Sequence, residues 1–258
     1  MNVALLEIQN LTVRFGGLTS LSELDFRVEP GSLVALIGPN GAGKTTAFNV
    51  ITGVYEPSEG SVRFDGDEIG GRPPHVISQR GIGRTFQSVR LFRGLTALEN
   101  VRAALAAAHR SGLADVLRPP AWRRRERELT AQAHGLLARL GLGHFAEAAA
   151  SGLPYAAQRL LEIARALATQ PLLLLLDEPA AGMNPSEKQA LRELVARLRG
   201  ELGLAIVLIE HDVRFVMDLC ERVTVLDHGE KIAEGPPDVV RQDPRVIEAY
   251  LGTAGSGA

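Results

Sequence analysis

The octet Gly38-Pro39-Asn40-Gly41-Ala42-Gly43-Lys44-Thr45 fits G-x-x-x-x-G-K-[ST] in full, and a second threonine, Thr46, follows it. Glycines in such a loop let successive backbone N–H groups turn toward one concavity, where phosphate oxygens accept from them. Lysine occurs only three times in the chain, as Lys44, Lys188 and Lys231, so its presence inside this loop is not a matter of background composition. The pattern predicts that Lys44 reaches β- and γ-phosphate oxygens and that Thr45 offers its hydroxyl to Mg²⁺.

A second group of residues completes a phosphoryl-transfer site. Five leucines, Leu172–Leu176, run into Asp177-Glu178-Pro179. An apolar strand that delivers an Asp at its C-terminal end places it beside the loops where ligands of open parallel sheets bind, so Asp177 is expected to hold the Mg²⁺ shell. Glu178 is positioned to polarise an attacking water. Alone, Asp-Glu-Pro would also suit a helix cap.

These residues need elements to hold them. Short alternating runs at Leu5–Asn10, Leu11–Phe15, Leu24–Val28 and Val62–Asp65, separated by Phe15-Gly16-Gly17 and Glu29-Pro30-Gly31-Ser32, predict a partly antiparallel sheet. Leu33–Ile37 is apolar at nearly every position, as a strand covered on both faces is, and the Gly-rich turn and a helix from Lys44 follow it. From about Thr96 to Phe145 the texture changes to Ala, Leu, Arg and Glu at helical spacing, broken by Arg118-Pro119-Pro120. Strands return at Leu172–Leu176, Ala205–Glu210 and Val223–Leu226, alternating with helices at Ser186–Arg199 and Val213–Cys220. Asp227-His228-Gly229-Glu230 predicts a hairpin turn to Lys231–Glu234, and Gly252–Ala258 a mobile tail.

Composition narrows the function classes. At 258 residues the chain suits one large domain with an inserted subdomain. A net charge of −2, from 28 basic and 30 acidic residues, gives no global reason to expect nucleic acid as a partner. Trp122-Arg123-Arg124-Arg125-Glu126-Arg127-Glu128 mixes both signs at helical spacing and reads as a solvated helix face. The single cysteine, Cys220, forms no internal disulfide, and MNVALLEIQN lacks the features of a signal peptide, so a reducing cytosol is expected. No run approaches the roughly 20 apolar residues of a membrane span, so contact with a membrane goes through a partner or the surface.

With the phosphate loop and the Asp-Glu pair in this order, the chain resembles the nucleotide-binding subunit of an ABC transporter over nearly its whole length. Phe15 resembles the aromatic residue that stacks on adenine. Gln87, in Arg84-Thr85-Phe86-Gln87, resembles the glutamine that links the Mg²⁺ site to the transmembrane partner, and His211, in IEHD, the histidine that contacts the γ-phosphate. Closer similarity is to the ATPases of importers for branched-chain and other hydrophobic amino acids. It is carried by RFGGL (Arg14–Leu18), GRTFQSVRLFRGLTALENV (Gly83–Val101), RLLEIARAL (Arg159–Leu167), DEPAAGMNP (Asp177–Pro185), IEHD and VIEAYLG (Val246–Gly252).

The resemblance implies a P-loop NTPase of α/β class: a RecA-like parallel core with an antiparallel β subdomain (residues 1–87 and 161–258), a helical subdomain at 88–160, and a flexible tail at 252–258. It implies ATP and Mg²⁺ as cofactors, with Thr45, Gln87 and Asp177 at the metal, Glu178, His211 and Gln87 in catalysis, and residues 38–46 on the phosphates. It also implies a second ABC ATPase as partner, two integral membrane permeases, a solute-binding protein acting indirectly, and a place on the cytoplasmic face of the cell membrane. The long insertion resembles the longer of two ATPase types, which implies a heterodimer.

In such pairs nucleotide is sandwiched, and the signature segment of one chain faces ATP held by the other. Here that segment is Leu153-Pro154-Tyr155-Ala156-Ala157-Gln158, where the common pattern is LSGGQ. Tyr155 and Asn184 fit the amino-acid importer group and are assigned with Ala156 to nucleotide contact. Ala156 in place of Gly is the departure, since a Cβ there obstructs a phosphate oxygen or excludes a glycine-only backbone. The competing classes are a soluble ABC protein of translation or DNA maintenance, which would carry a second such domain or a long coiled coil, and a nucleotide-binding regulator that no longer hydrolyses. Intact Glu178 and His211 argue against the latter.

Overall fold

A computed structural model describes residues 4–108 and 119–252. Two sheets form the molecule. The first, of order β2-β1-β4-β5, is antiparallel and comprises β1 (Leu6–Phe15), β2 (Leu18–Val28), β4 (Glu59–Phe64) and β5 (Asp67–Glu68). The runs Leu5–Asn10 and Leu11–Phe15 are one strand, because the break between them is a bulge: Asn10 has φ 48° and its N–H donates to Asp25 Oδ1 at 2.8 Å. A similar irregularity at Glu23 (φ 48°) hides the first half of β2 from a period-two reading.

The second sheet has the order β10-β9-β3-β8-β7-β6. It contains β3 (Leu33–Ile37), β6 (Ile82–Arg84), β7 (Leu173–Asp177), β8 (Ala205–Ile209), β9 (Arg222–Asp227) and β10 (Glu230–Gly235). β9 through β6 pair parallel, and β10 closes the edge antiparallel through His228-Gly229, both at positive φ as a tight hairpin turn requires. Every residue of β3, β7 and β8 is buried, and alternate side chains enter different cores. Val34, Leu36, Leu173, Leu175 and Val207 pack with the antiparallel sheet and α1 (Lys44–Ile51). Leu33, Ala35, Leu174, Leu176 and Leu208 pack with the helices on the other face.

Those helices are α3 (Ala97–Ala108), α4 (Pro119–Arg139), α5 (Tyr155–Leu167), α6 (Pro185–Leu202), α7 (Val213–Met217), α8 (Pro237–Val240) and α9 (Pro244–Gly252), while α2 (Pro74–Gln79) precedes β6. The Arg118-Pro119-Pro120 break falls where α4 begins, and Arg118 and the predicted tail beyond Gly252 lie outside the described residues. Trp122 is exposed and Arg124 pairs with Glu128 one turn on, as a solvated face requires. The helix expected over Val213–Cys220 ends at Met217. Leu172, read as strand, precedes β7 and is half exposed. Cys220 is buried and unpaired, its thiol pushed up to about 12 by burial. No helix among the described residues is long and apolar enough to cross a membrane.

Candidate functional site

The strand order β3-β8-β7-β6 sets four parallel strands side by side, and the loop at each C-terminal end carries one part of the site. After β3 comes the phosphate loop, after β8 His211, after β7 Glu178, and after β6 Gln87. They converge on an open cleft of about 260 Å³ lined by Ser20, residues 40–46, Gln87, Glu178 and His211. Ligands of open parallel sheets bind outside the carboxyl ends of the strands, where the order reverses; β3, flanked by β8 and β9, is that point here.

The loop itself is fixed by backbone geometry. Gly43 caps α1 with φ 101°, and a Cβ on it would stand 2.7 Å from the Ser20 carbonyl oxygen. Lys44 is 5% exposed and donates to the carbonyls of Gly38 at 2.7 Å and Pro39 at 2.8 Å, so its ammonium is held at the loop's own rim. Burial lowers its pKa, and the carboxylates of Glu178 and Asp177 oppose that shift. Thr45 lines the cleft, and Thr46 shares a hydrogen bond of 2.8 Å with Ser20.

Glu178 stands at the centre of a three-residue contact. Its Oε1 lies 2.6 Å from His211 Nε2, and its Oε2 accepts from Gln87 Nε2 at 3.1 Å. The backbone of Glu178 has φ 49°, a left-handed value uncommon for a residue with a Cβ, and its N–H donates to Ile209 O at 2.8 Å. This arrangement can orient a water and keep the carboxylate and imidazole within reach of one proton.

Asp177 is 2% exposed and pairs through Oδ2 with Arg84 Nη2 at 3.0 Å. Its Oδ1 is buried with no protein partner. Burial raises the carboxyl's pKa and the Arg84 hydrogen bond and charge counter it. A buried carboxylate oxygen left unpaired beside a threonine-bearing phosphate loop fits the outer shell of a nucleotide-bound Mg²⁺.

Sequence reasoning assigned no role to the enclosed charged side chains of Arg84, Arg159, Glu162 and Glu210. Arg84, besides Asp177, donates to Asn49 Oδ1 at 2.8 Å and Thr52 Oγ1 at 3.0 Å on the α1 side, with its guanidinium carbon 5.0 Å from the Phe86 ring centre. Arg159 reaches the loops after β6 and β7. Glu210 accepts from Ala180 N at 2.7 Å and His211 N at 3.2 Å, tying the histidine loop to the loop after β7. Arg84 and Glu210 stand beside residues that were singled out, but nothing in a linear string distinguishes a buried charge from a surface one.

Besides Gly38, Pro39 and Asp177, which adjoin lining residues in the chain without lining the cleft themselves, four predicted contacts are not gathered into it. Phe15 is 44% exposed and meets Tyr55 edge-on at 5.0 Å, outside the lining residues. Asn184 forms a capping box for α6: its Oδ1 accepts from Ser186 N and Glu187 N, each at 3.0 Å, and its own N–H donates to Glu187 Oε2 at 2.9 Å. Tyr155 and Ala156 open α5, Tyr155 at 45% exposure. Ala156 is not among the positive-φ residues, so alanine suits the backbone there and only its Cβ remains as a difference from glycine.

Comparison with known proteins gives the family. The ABC transporter family profile matches residues 21–181, and that of the branched-chain amino acid ATP-binding cassette transporter matches 230–256. The high-affinity branched-chain amino acid transport ATP-binding protein BraF of Pseudomonas aeruginosa is 46% identical, over 98% of this chain and 100% of that one. Its counterpart LivG of Escherichia coli is 44% identical over the same shares. An ATP-binding cassette from an ABC transporter, solved in its ADP conformation, superposes with a TM-score of 0.85 at 31% identity, covering 97% of this chain and 99% of that one. The chain therefore belongs to the ABC transporter family, as an ATP-binding subunit of the branched-chain amino acid transporter type.

Proposed function

We propose that this chain hydrolyses ATP to energise uptake of branched-chain or other hydrophobic amino acids through membrane permeases on whose cytoplasmic side it sits. The observation that supports this best is the convergence of Gln87, Glu178 and His211 on the phosphate loop at the C-terminal edge of one parallel sheet. ATP binding belongs to the family. Residues 38–46 bind the triphosphate through main-chain N–H groups and Lys44, and Phe15, with Tyr55 beside it, offers an aromatic surface to the base. Thr45, Gln87 and Asp177 would hold Mg²⁺, which when bound neutralises charge on the β- and γ-oxygens.

Glu178 accepts a proton from the attacking water, and His211 and Gln87 fix the glutamate's two oxygens so that it faces the phosphate loop. A second ATPase chain, of the shorter type, supplies its own signature to this site while Tyr155 and Ala156 meet the nucleotide of that partner. Residues 88–160, which carry α3, α4 and the start of α5, form the helical subdomain, and the rest the core. Branched-chain amino acids are the solute because the curated relatives are named for their transport; amides, urea or aromatic acids are the alternative. The test is Glu178→Gln in the assembled transporter. Phosphate release should fall by roughly 10²–10⁴-fold, the usual worth of a positioned base, with MgATP binding kept and a closed dimer accumulating. Unchanged steady-state release would remove Glu178 from its role. Solute identity is read separately, by uptake of labelled leucine, isoleucine and valine against urea and amides.

A further inference from the structure

Helix α5 carries two features one turn apart: an opening edge where Tyr155 is exposed and Ala156 is partly buried against the core, and the buried Arg159. Arg159 is 3% exposed, and its guanidinium is directed at main chain. Nη1 donates to Phe86 O at 2.8 Å, and Nη2 to Gln87 O at 2.7 Å and Glu178 O at 3.3 Å. Nη1 also pairs with Glu162 at 3.2 Å, whose other oxygen accepts from Arg90 N at 2.7 Å. The guanidinium carbon lies 5.6 Å from the centre of the Tyr155 ring. A single planar group thus grips the loop after β6 and the loop after β7 from the helix that begins with the signature.

Glu178 is the residue most in need of such a hold. Its left-handed backbone, φ 49°, persists only where its surroundings over-determine it. One side is fixed by the N–H bond to Ile209, and on the other the carbonyl accepts both from Ala181 N at 3.2 Å and from Arg159. The side chains of Gln87 and Glu178 touch, so both backbones that Arg159 holds end in the same contact.

We infer that Arg159 is a positioning residue that makes the signature edge and the chain's own hydrolytic glutamate one mechanical unit. When Tyr155 and Ala156 engage nucleotide held by the ATPase partner, displacement of α5 is carried by Arg159 to Gln87 and Glu178, and hydrolysis at this chain's site comes to depend on occupancy of the other. The inference rests on the proposed two-chain nucleotide sandwich. Lysine at 159 keeps the charge but, as a point donor on a flexible stem, does not span three carbonyls from two loops.

The experiment uses the transporter assembled from this chain, its ATPase partner and the permeases, with the partner's general-base glutamate changed to glutamine so that phosphate release reports on Glu178. Release is measured with the partner's phosphate-loop lysine intact and again with it changed to alanine, which empties the partner site. With Arg159 in place the ratio should be about 5-fold or more, the low end of ordinary coupling between sites. Arg159→Lys should bring the ratio toward one while leaving the MgATP affinity of the folded chain unchanged. Arg159→Gln carries the same expectation where the lysine variant does not fold. A wild-type ratio retained in either folded variant overturns the inference, as does a wild-type ratio of one, or a loss of MgATP affinity that matches the loss of turnover. Absence of phosphate release from the unmutated transporter counts against the proposed function instead.

Discussion

Two helix starts in this molecule are assigned to phosphate, α1 at the chain's own cleft and α5 only in the proposed sandwich, and they are built differently. At α1 one chain supplies the loop, the cation and the base: Gly43 in a left-handed cap, Lys44 against the loop carbonyls, Thr45 on the cleft, and Gln87, Glu178 and His211 lining it as well. At α5 the cap is Pro154, with no side-chain hydrogen bond, and Tyr155 behind it is exposed. No residue of that start lines the phosphate cleft. A helix N-terminus favours anions wherever it lies, but only at α1 does the same chain add the cation, the hydroxyl and the base. In the proposed sandwich α5 is half of a site that another chain completes, which is why its pattern can drift from glycine while the phosphate loop keeps every position.

The change expected to break this contrast most sharply is Lys44→Ala, which removes the cation from the self-sufficient end. ATP binding or turnover should fall by on the order of 10²-fold or more, as loss of a group stabilising phosphoryl charge does. Nucleotide titration of the isolated chain measures it. An affinity and turnover like the wild type would show that the loop does not bind through Lys44.

Arg84→Met tests whether the buried pair beneath the same end is a requirement of folding. It leaves Asp177 buried without its cation and should cost about 3–5 kcal/mol, the usual consequence of breaking a buried pair from one side. Chemical denaturation reads this directly. A loss under about 1 kcal/mol, the range of exposed pairs, would mean that water or another side chain relieves Asp177.

Phe15→Ala is expected to weaken nucleotide affinity by ~1–3 kcal/mol, the ordinary worth of stacking on a base. The comparison that checks it is ATP against a base-free triphosphate in the unmutated chain. Equal affinities would leave Phe15, which stands outside the cleft, without a nucleotide role.

The smallest effect is expected at the other end. Ala156→Gly should raise turnover at the partner's site severalfold and leave this chain's Lys44–Glu178–His211 site unaltered, because Ala156 lies in the first turn of α5 at an ordinary helical position and only its Cβ stands in the way. In the reconstituted pair, Glu178→Gln should then remove more activity than the matching change in the partner. Equal losses from the two would mean that Ala156 is tolerated and the two ends are equivalent in use.

The residues of the phosphate loop, Asp177 and Glu178 were legible in the sequence because their types and local order are the chemistry, whereas Gln87 and His211 were assigned only through the family resemblance. Strands β3 and β8 were legible because a strand covered on both faces is apolar throughout, and the antiparallel sheet because its alternation survives in Val62–Asp65 and Leu24–Val28. Strand β6 was not: Ile82-Gly83-Arg84 is three residues long and shows no period, although it is the element that carries Gln87 to the cleft. The bulge at Asn10 and the left-handed Glu23 were hidden because a single positive φ leaves no pattern in residue type when glycine is not used. Tertiary structure alone decided which charges are buried. Arg84, Arg159 and Glu210 read as ordinary polar residues in the string, and only their enclosure makes each a fixed link between distant segments, as Arg159 to Gln87 across 72 residues and Arg84 to Asp177 across 93. The physical reason is that sequence encodes what a residue can donate or accept, whereas burial, which removes water as the alternative partner, is set by every element that packs around it.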